Sequence, residues 1–141
     1  MLIQKVLSHG QVKVTAGRDT RAISSDGALD LQVTRPRALG GTSGRGTSPE
    51  QLFAASYAAC FLGMMRLVAE RESIVLPTDT AVEASVGVGP IPRGFGVEVE
   101  LRISLPGLPR AESDLLVEKS HTLCPYANAT RGNIAVRLVL A

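Results

Sequence analysis

Residues 48–69 read SPEQLFAASYAACFLGMMRLVA and predict one long helix. Ser48 suits the N-cap position, Pro49 suits the first helical position, and Gln51 stands three residues after Ser48, as in a capping box. Glu50 falls in the first turn, where a negative charge complements the helix dipole. The rest of the segment is apolar on nearly all sides, which indicates a helix buried in protein or placed in a membrane. One arginine near its end, and the soluble pattern around it, favour a central helix buried on most sides.

Short strands are predicted before this helix and a hairpin after it. The N-terminal third indicates three strands, near residues 12–14, 21–24 and 28–33, with turn chemistry at Ser25-Asp26-Gly27. After the helix, apolar and polar residues alternate over 82–88 and again over 95–104. The intervening residues 89–94, Gly-Pro-Ile-Pro-Arg-Gly, predict that these two strands form a hairpin.

The C-terminal third predicts a second helix and a last strand. Arg110 to Leu123 is amphipathic and ends before Cys124-Pro125, because the residue before a proline avoids the helical region. Apolar residues alternate again over 134–140. The order of strands, helix, hairpin, helix and strand is typical of an α+β fold, and the length predicts a single domain over residues 1–141.

Composition excludes several classes of protein. Hydrophobic residues make up 45% and charged residues 20% of the 141 residues, which excludes a disordered chain. A net charge of +2, 4% aromatic residues and no tryptophan argue against a nucleic-acid partner. The N-terminal ten residues lack the apolar core of a secretion signal, so a cytoplasmic location without a membrane partner is expected.

Other chemical sites also lack support in the sequence. Two cysteines exclude a disulfide-dense scaffold and a zinc site made of cysteines alone, and a mixed site would need both histidines as well. The glycine-rich loop of residues 35–49 has no lysine, which excludes a phosphate-binding P-loop. There is no Gly-x-Ser-x-Gly elbow. His121 lies three residues before Cys124, which suggests a Cys–His pair, although a histidine on the surface is the expected interpretation.

The two cysteines are the candidates for chemistry. Cys60 lies in the middle of the apolar helix and Cys124 at a helix end, and each taken alone reads as a small core residue. Taken together they could be a reactive pair. An apolar setting raises a thiol pKa, so a reactive Cys60 needs a cation, and Arg18 and Arg21 lie in one turn. A buried arginine needs a carboxylate in turn, for which Glu50 is a candidate.

Two blocks carry a resemblance to a known family. They are residues 49–61, PEQLFAASYAACF, and residues 124–133, CPYANATRGN. Together with residues 18–31 and Leu39-Gly40-Gly41, they resemble the organic hydroperoxide resistance proteins of the OsmC superfamily. The resemblance runs from about residue 10 to the C-terminus.

The resemblance implies a fold and a thiol-dependent peroxidase. The implied fold is α+β, with antiparallel sheets around a long central buried helix, in an intertwined homodimer whose two active sites lie at the subunit interface. Cys60 matches the peroxidatic cysteine and Cys124 the resolving cysteine. Arg18 matches the arginine that stabilises the thiolate, and Glu50 matches the carboxylate that holds this arginine.

The resemblance also implies the substrate and the reductant. Alkyl and fatty-acid hydroperoxides are the implied substrates, and a dihydrolipoyl protein is the implied reductant, with no cofactor or metal. Phe53, Phe95 and Tyr126 are candidates for an apolar pocket that would favour organic peroxides. Two other hypotheses stay open. One is a non-catalytic module that binds a fatty acid and uses the cysteines for packing. The other is a redox sensor, although no output domain is visible.

Overall fold

The computed structural model describes residues 1–16, 20–41 and 44–141. Two compact units divide the chain, Met1–Pro49 and Glu50–Ala141, and the single domain over residues 1–141 stays a prediction. The elements are β1 (Val12–Thr15), β2 (Arg21–Ser24), β3 (Asp30–Gln32), a 3₁₀ turn (Arg37–Leu39), α1 (Pro49–Arg71), β4 (Ala81–Ile91), β5 (Gly94–Ser104), α2 (Arg110–Leu123), α3 (Pro125–Thr130) and β6 (Val136–Leu140).

The first unit contains an antiparallel sheet in the order β1-β2-β3. Its predicted turn is confirmed between β2 and β3. The Ser24 hydroxyl donates to the Asp26 carboxylate at 2.6 Å, and the Ala28 N–H donates to the same oxygen at 3.0 Å. Both hydrogen bonds lower the pKa of Asp26. Gly27 has a φ of 74°, a left-handed conformation that favours glycine.

The second unit contains a sheet in the order β4-β5-β6. The predicted hairpin is confirmed, but β4 runs on through Gly89 and Pro90, which the sequence had placed in the turn. The register ends at Ile91 opposite Gly94, which leaves a two-residue connection. Because β4 is an edge strand, it can accommodate a proline that has no N–H to donate.

The last strand corrects the prediction that the sheets are antiparallel. β6 pairs with β5 in parallel, from Val99 opposite Val136 to Ile103 opposite Leu140. The reason lies in the connection, since parallel strands need a crossover long enough to return the chain to the same end of the sheet. The helices α2 and α3 supply that crossover.

The predicted long helix is confirmed as α1, and one side of it forms the core. Its buried residues belong to one hydrophobic cluster with residues of β5, α2 and α3. This cluster comprises Tyr57, Phe61, Met65, Val68, Ala69, Val99, Leu101, Ile103, Leu105, Leu116, Cys124 and Ala127. The helix is long and apolar enough to cross a membrane by length and composition alone, with a mean hydropathy of 1.6. The central helix of a packed core meets the same criteria.

Burial of α1 is one-sided in the single chain, whereas the sequence indicates burial on most sides. The residues that face away from the cluster recur every three or four positions, as one helical stripe does. These exposed residues are Gln51, Ala55, Ala59, Gly63, Arg66 and Glu70. Between Gln51 at one end and the charged Arg66 and Glu70 at the other, this stripe consists of the small residues Ala55, Ala59 and Gly63.

The second predicted helix is confirmed as α2, and a short helix that was not predicted follows it. Cys124 separates α2 from α3 and has an extended backbone, with φ −65° and ψ 121°. Pro125 accounts for both features, because it bars the preceding residue from the helical region and is itself suited to the first position of a new helix. The bend therefore falls on Cys124.

Candidate active site

The two cysteines lie side by side within the second unit. Cys60 is in the middle of α1 and Cys124 is at the bend between α2 and α3, and their Sγ atoms are 3.9 Å apart. Both are free thiols. Cys124 is fully buried, whereas Cys60 is partly exposed. Two thiols in contact, one of them open to solvent, can react with a small molecule and then with each other.

The setting of Cys60 disfavours its thiolate. Burial first, and then the neighbouring Cys124, raise the pKa of the Cys60 thiol to about 11, while a hydrogen bond from the backbone of Tyr126 acts in the opposite direction. At such a pKa about one thiol in ten thousand is ionised at pH 7. The sequence prediction that Cys60 needs a cation to become reactive therefore has a physical basis in this site.

Three aromatic rings form a cluster on the elements that carry the cysteines. The Tyr57 and Tyr126 ring centroids are 5.8 Å apart, and Phe53 lies 6.2 Å from Tyr57 and 6.5 Å from Tyr126 in edge-to-face geometry. Phe53 and Tyr57 belong to α1 and Tyr126 to α3, so the cluster spans the same elements as the thiols. Tyr126 is 36% exposed. The cluster thus offers apolar surface that a hydrocarbon chain can contact.

Phe95 is not part of this aromatic cluster. It lies at the end of the β4–β5 hairpin with 64% of its surface exposed, and it lines a groove with Ile91 and Asn133. No ring contact of Phe95 occurs among the described residues. Its predicted role in the pocket stays a prediction.

The predicted arginine and its carboxylate are only partly visible. Arg18 lies outside the described residues, and its pairing with Cys60 and with Glu50 stays a prediction. Glu50 is half-buried in the first turn of α1. The other candidate cation, Arg21, is engaged elsewhere, because its side chain pairs with the Asp30 carboxylate across β2 and β3.

His121 is less exposed than the sequence indicates. Its Nδ1 atom is buried and has no hydrogen-bond partner within the described part of the chain. Burial lowers the pKa of His121, and the charge of Arg131 lowers it further. The Arg131 guanidinium donates to the His121 carbonyl at 2.8 Å, which ties the end of α3 to the end of α2.

Two site residues were missed by sequence reasoning. The Tyr57 hydroxyl is 3.3 Å from the Thr130 hydroxyl, and both are buried. Tyr57 precedes Cys60 by three positions, which places both on one side of α1. That spacing was the available signal, but nothing local identifies Thr130 as its partner. Among the described residues, no group of three or more His, Cys, Asp or Glu side chains could hold a metal ion.

Comparisons with known proteins show the family of this chain. The model of the OsmC family, described as OsmC-like protein, matches residues 41–139. The organic hydroperoxide resistance protein of Xanthomonas axonopodis pv. citri is 55% identical over 138 residues, which cover 98% of this chain and 97% of that protein. This chain belongs to the OsmC family. Its place there is with the organic hydroperoxide resistance proteins, as the sequence resemblance predicts.

Solved OsmC-family structures share the fold. An organic hydroperoxide resistance protein from Elizabethkingia anophelis is 42% identical and has a TM-score of 0.90, covering 98% of this chain and 99% of that one. OhrB of Bacillus subtilis is 38% identical with a TM-score of 0.83, covering 96% and 100%. These likenesses confirm the α+β fold with two sheets and a central helix. Within the OsmC match fall Glu50, Cys60 and Cys124, whereas Arg18 precedes it.

Proposed function

We propose that this chain is a thiol peroxidase that reduces organic hydroperoxides to alcohols. The observation that carries the proposal is the 3.9 Å separation of the Cys60 and Cys124 sulfurs in a chain that shares 55% identity with an organic hydroperoxide resistance protein. The fatty-acid-binding alternative treats the thiols as packing. It gives no reason for two thiols to lie 3.9 Å apart with one of them partly exposed.

The first step consumes the peroxide. The Cys60 thiolate attacks one peroxide oxygen, the O–O bond breaks, and the alkoxide leaves and takes up a proton to become an alcohol. Cys60 is thereby oxidised to a sulfenic acid. Arg18 is the proposed cation that ionises the thiol and stabilises the charge that develops on the peroxide oxygens, and Glu50 is the carboxylate that holds Arg18.

The second step protects the enzyme. The Cys124 sulfur attacks the Cys60 sulfenic acid, an S–S bond forms, and the hydroxyl leaves as water. A dithiol then reduces the disulfide by exchange and restores both thiols. We propose a dihydrolipoyl protein in the cytoplasm as this reductant. No bound cofactor or metal enters either step.

The apolar surface beside the thiols supports an organic substrate. Burying an alkyl chain contributes about 0.8 kcal/mol for each CH₂ group, a gain that hydrogen peroxide lacks. Phe53 and Tyr126 are the proposed contacts of the alkyl chain. Phe95, at the end of the β4–β5 hairpin, is proposed as a third contact.

A homodimer accounts for the apolar surface that the single chain leaves open. Val12 and Val14 of β1 are about half exposed, and the small residues Ala55, Ala59 and Gly63 of α1 are exposed as well. We propose that a second copy covers these surfaces, which would place the active sites at the subunit interface. Light scattering should give twice the chain mass of 14.8 kDa, and a monomer at micromolar concentration would contradict this part of the proposal.

Steady-state turnover tests the proposed function. Purified protein is supplied with tert-butyl hydroperoxide or hydrogen peroxide, and with dihydrolipoamide, glutathione or a thioredoxin system. We expect turnover of the organic peroxide with dihydrolipoamide and much slower reaction with the other combinations. Binding of a fatty acid without peroxide consumption would support the alternative instead.

A further inference from the structure

A buried hydrogen bond joins α1, the helix that carries Cys60, to α3, the helix that follows Cys124. The Tyr57 hydroxyl is 3.3 Å from the Thr130 hydroxyl, and these residues are 0% and 8% exposed. The Thr130 hydroxyl donates its one hydrogen within α3, where the Tyr126 carbonyl lies at 2.9 Å and the Ala127 carbonyl at 3.3 Å. The Tyr57 hydroxyl is therefore the donor to Thr130. Removal of this acceptor would leave the buried phenol unsatisfied and would lower the free energy of unfolding.

The hydrogen bond connects the same two elements as the thiols. Tyr57 and Cys60 are one turn apart on α1, while Cys124 immediately precedes α3 and Thr130 ends it. Apolar packing of Tyr126 and Ala127 also holds α3 against the core that α1 shares. The hydrogen bond adds a directional contact at the end of α3 that lies away from Cys124.

The position of Cys124 depends on such contacts. The helix α3 has six residues, too few to be stable by itself, and one extended residue joins it to α2. Arg131 ties the end of α3 to α2 through the His121 carbonyl. The buried hydrogen bond of Tyr57 ties it to α1, the helix that carries Cys60.

We propose that Tyr57 and Thr130 are positioning residues that hold Cys124 within reach of Cys60 and so favour the disulfide over further oxidation. The proposal rests on the proposed peroxidase function. Two reactions compete for the Cys60 sulfenic acid. Attack by Cys124 forms the S–S bond and releases water, whereas a second hydroperoxide adds an oxygen, yields sulfinic acid and leaves as an alcohol. The partition between them measures how well Cys124 is placed.

The test compares variants that remove one hydroxyl. Tyr57→Phe and Thr130→Val are treated with excess tert-butyl hydroperoxide, and intact-mass spectrometry gives the ratio of sulfinic acid to disulfide. We expect this ratio to rise about fivefold in each, the effect of losing one hydrogen bond. Thr130→Ser keeps the hydroxyl and should restore the wild-type ratio. The matched control is Thr122→Val, because the Thr122 hydroxyl bonds only to its own helix among the described residues.

A second measurement does not require peroxidase activity. The fraction of Cys60–Cys124 disulfide is followed in glutathione redox buffers, and Tyr57→Phe should need a ratio of oxidised glutathione to squared reduced glutathione about fivefold higher. If the wild type consumes no hydroperoxide but Tyr57→Phe still shows this shift, the proposed function is refuted and the positioning role is supported. Variants equal to Thr122→Val in both measurements would overturn the positioning role. So would unfolding of both Tyr57→Phe and Thr130→Val, because the bond would then serve the whole fold.

Discussion

The Sγ atoms of Cys60 and Cys124 are 3.9 Å apart although the residues are 64 positions apart in the chain. A disulfide has its sulfurs about 2.05 Å apart, so the two thiols need to approach by only about 2 Å. Cys124 sits at the bend between two helices, where a small change of backbone angle moves its side chain. The reduced structure is thus close to the geometry that the disulfide requires.

Replacement of each cysteine should separate the two steps. Cys60→Ser should reduce hydroperoxide consumption to the background rate, because the attacking sulfur is gone. Cys124→Ser should react rapidly once and then proceed to sulfinic acid, since no second thiol removes the sulfenic acid. A peroxide assay with intact-mass detection measures both. Sustained turnover by either variant at the wild-type rate would contradict the assigned roles.

Arg18→Ala should change the pH dependence of the first step. Burial and the neighbouring Cys124 place the pKa of the Cys60 thiol at about 11, so without a cation the thiolate fraction rises tenfold for each pH unit between 7 and 9. The rate constant for reaction with hydroperoxide should rise in parallel, while the wild type should be nearly flat over this range. Stopped-flow measurement gives both profiles.

The matched control for this experiment is Arg21→Ala, because Arg21 pairs with Asp30. Its profile should resemble that of the wild type. Glu50→Gln should lie between the wild type and Arg18→Ala, since it loosens the arginine without removing it. A flat profile and an undiminished rate in Arg18→Ala would remove Arg18 from the mechanism.

Truncation of the aromatic side chains should lower selectivity for organic peroxides. In Phe53→Ala and Tyr126→Ala, kcat/KM for cumene hydroperoxide should fall about tenfold more than kcat/KM for hydrogen peroxide, because apolar contact area is lost. Phe95→Ala tests whether the hairpin reaches the same pocket and should change the ratio in the same direction. Val75→Ala, an exposed apolar side chain after α1, is the control. Equal losses for both peroxides would argue against an apolar pocket.

His121 should make the folded state less stable in mild acid. Burial and Arg131 hold the pKa of His121 below its usual value, so the unfolded chain binds a proton that the folded chain resists. This contribution is fully present above about pH 6.5 and is lost as the pH falls. Urea unfolding at pH 7.5 and 5.5 should show a smaller loss for His121→Gln than for the wild type. Identical losses in the two proteins would exclude the effect.

Local signals explain why the long elements could be predicted. The start of α1 follows from Pro49 at its first position, and the end of α2 follows from Pro125 just beyond it, so each signal lies within a few residues of the boundary. The six-residue α3 contains less than two turns and has no periodicity to detect. Strand direction was missed for β6, because pairing with β5 depends on the path of the chain between them.

The site was predictable in its residue types but not in its contacts. An apolar helix around Cys60 indicates a raised pKa, and the structure confirms that burial raises it. Proximity of Cys60 to Cys124 came only from family resemblance, because no pattern in the sequence reports a contact across 64 positions. The Tyr57–Thr130 hydrogen bond spans 73 positions and was invisible for the same reason.

Peptide mapping of the oxidised protein tests the central claim most directly. The fully reduced protein is mixed with one equivalent of tert-butyl hydroperoxide, quenched with an alkylating reagent and digested. We predict loss of both free thiols and a single linked peptide pair that joins Cys60 to Cys124. Recovery of both cysteines as alkylated thiols, with the hydroperoxide unconsumed, would contradict the account.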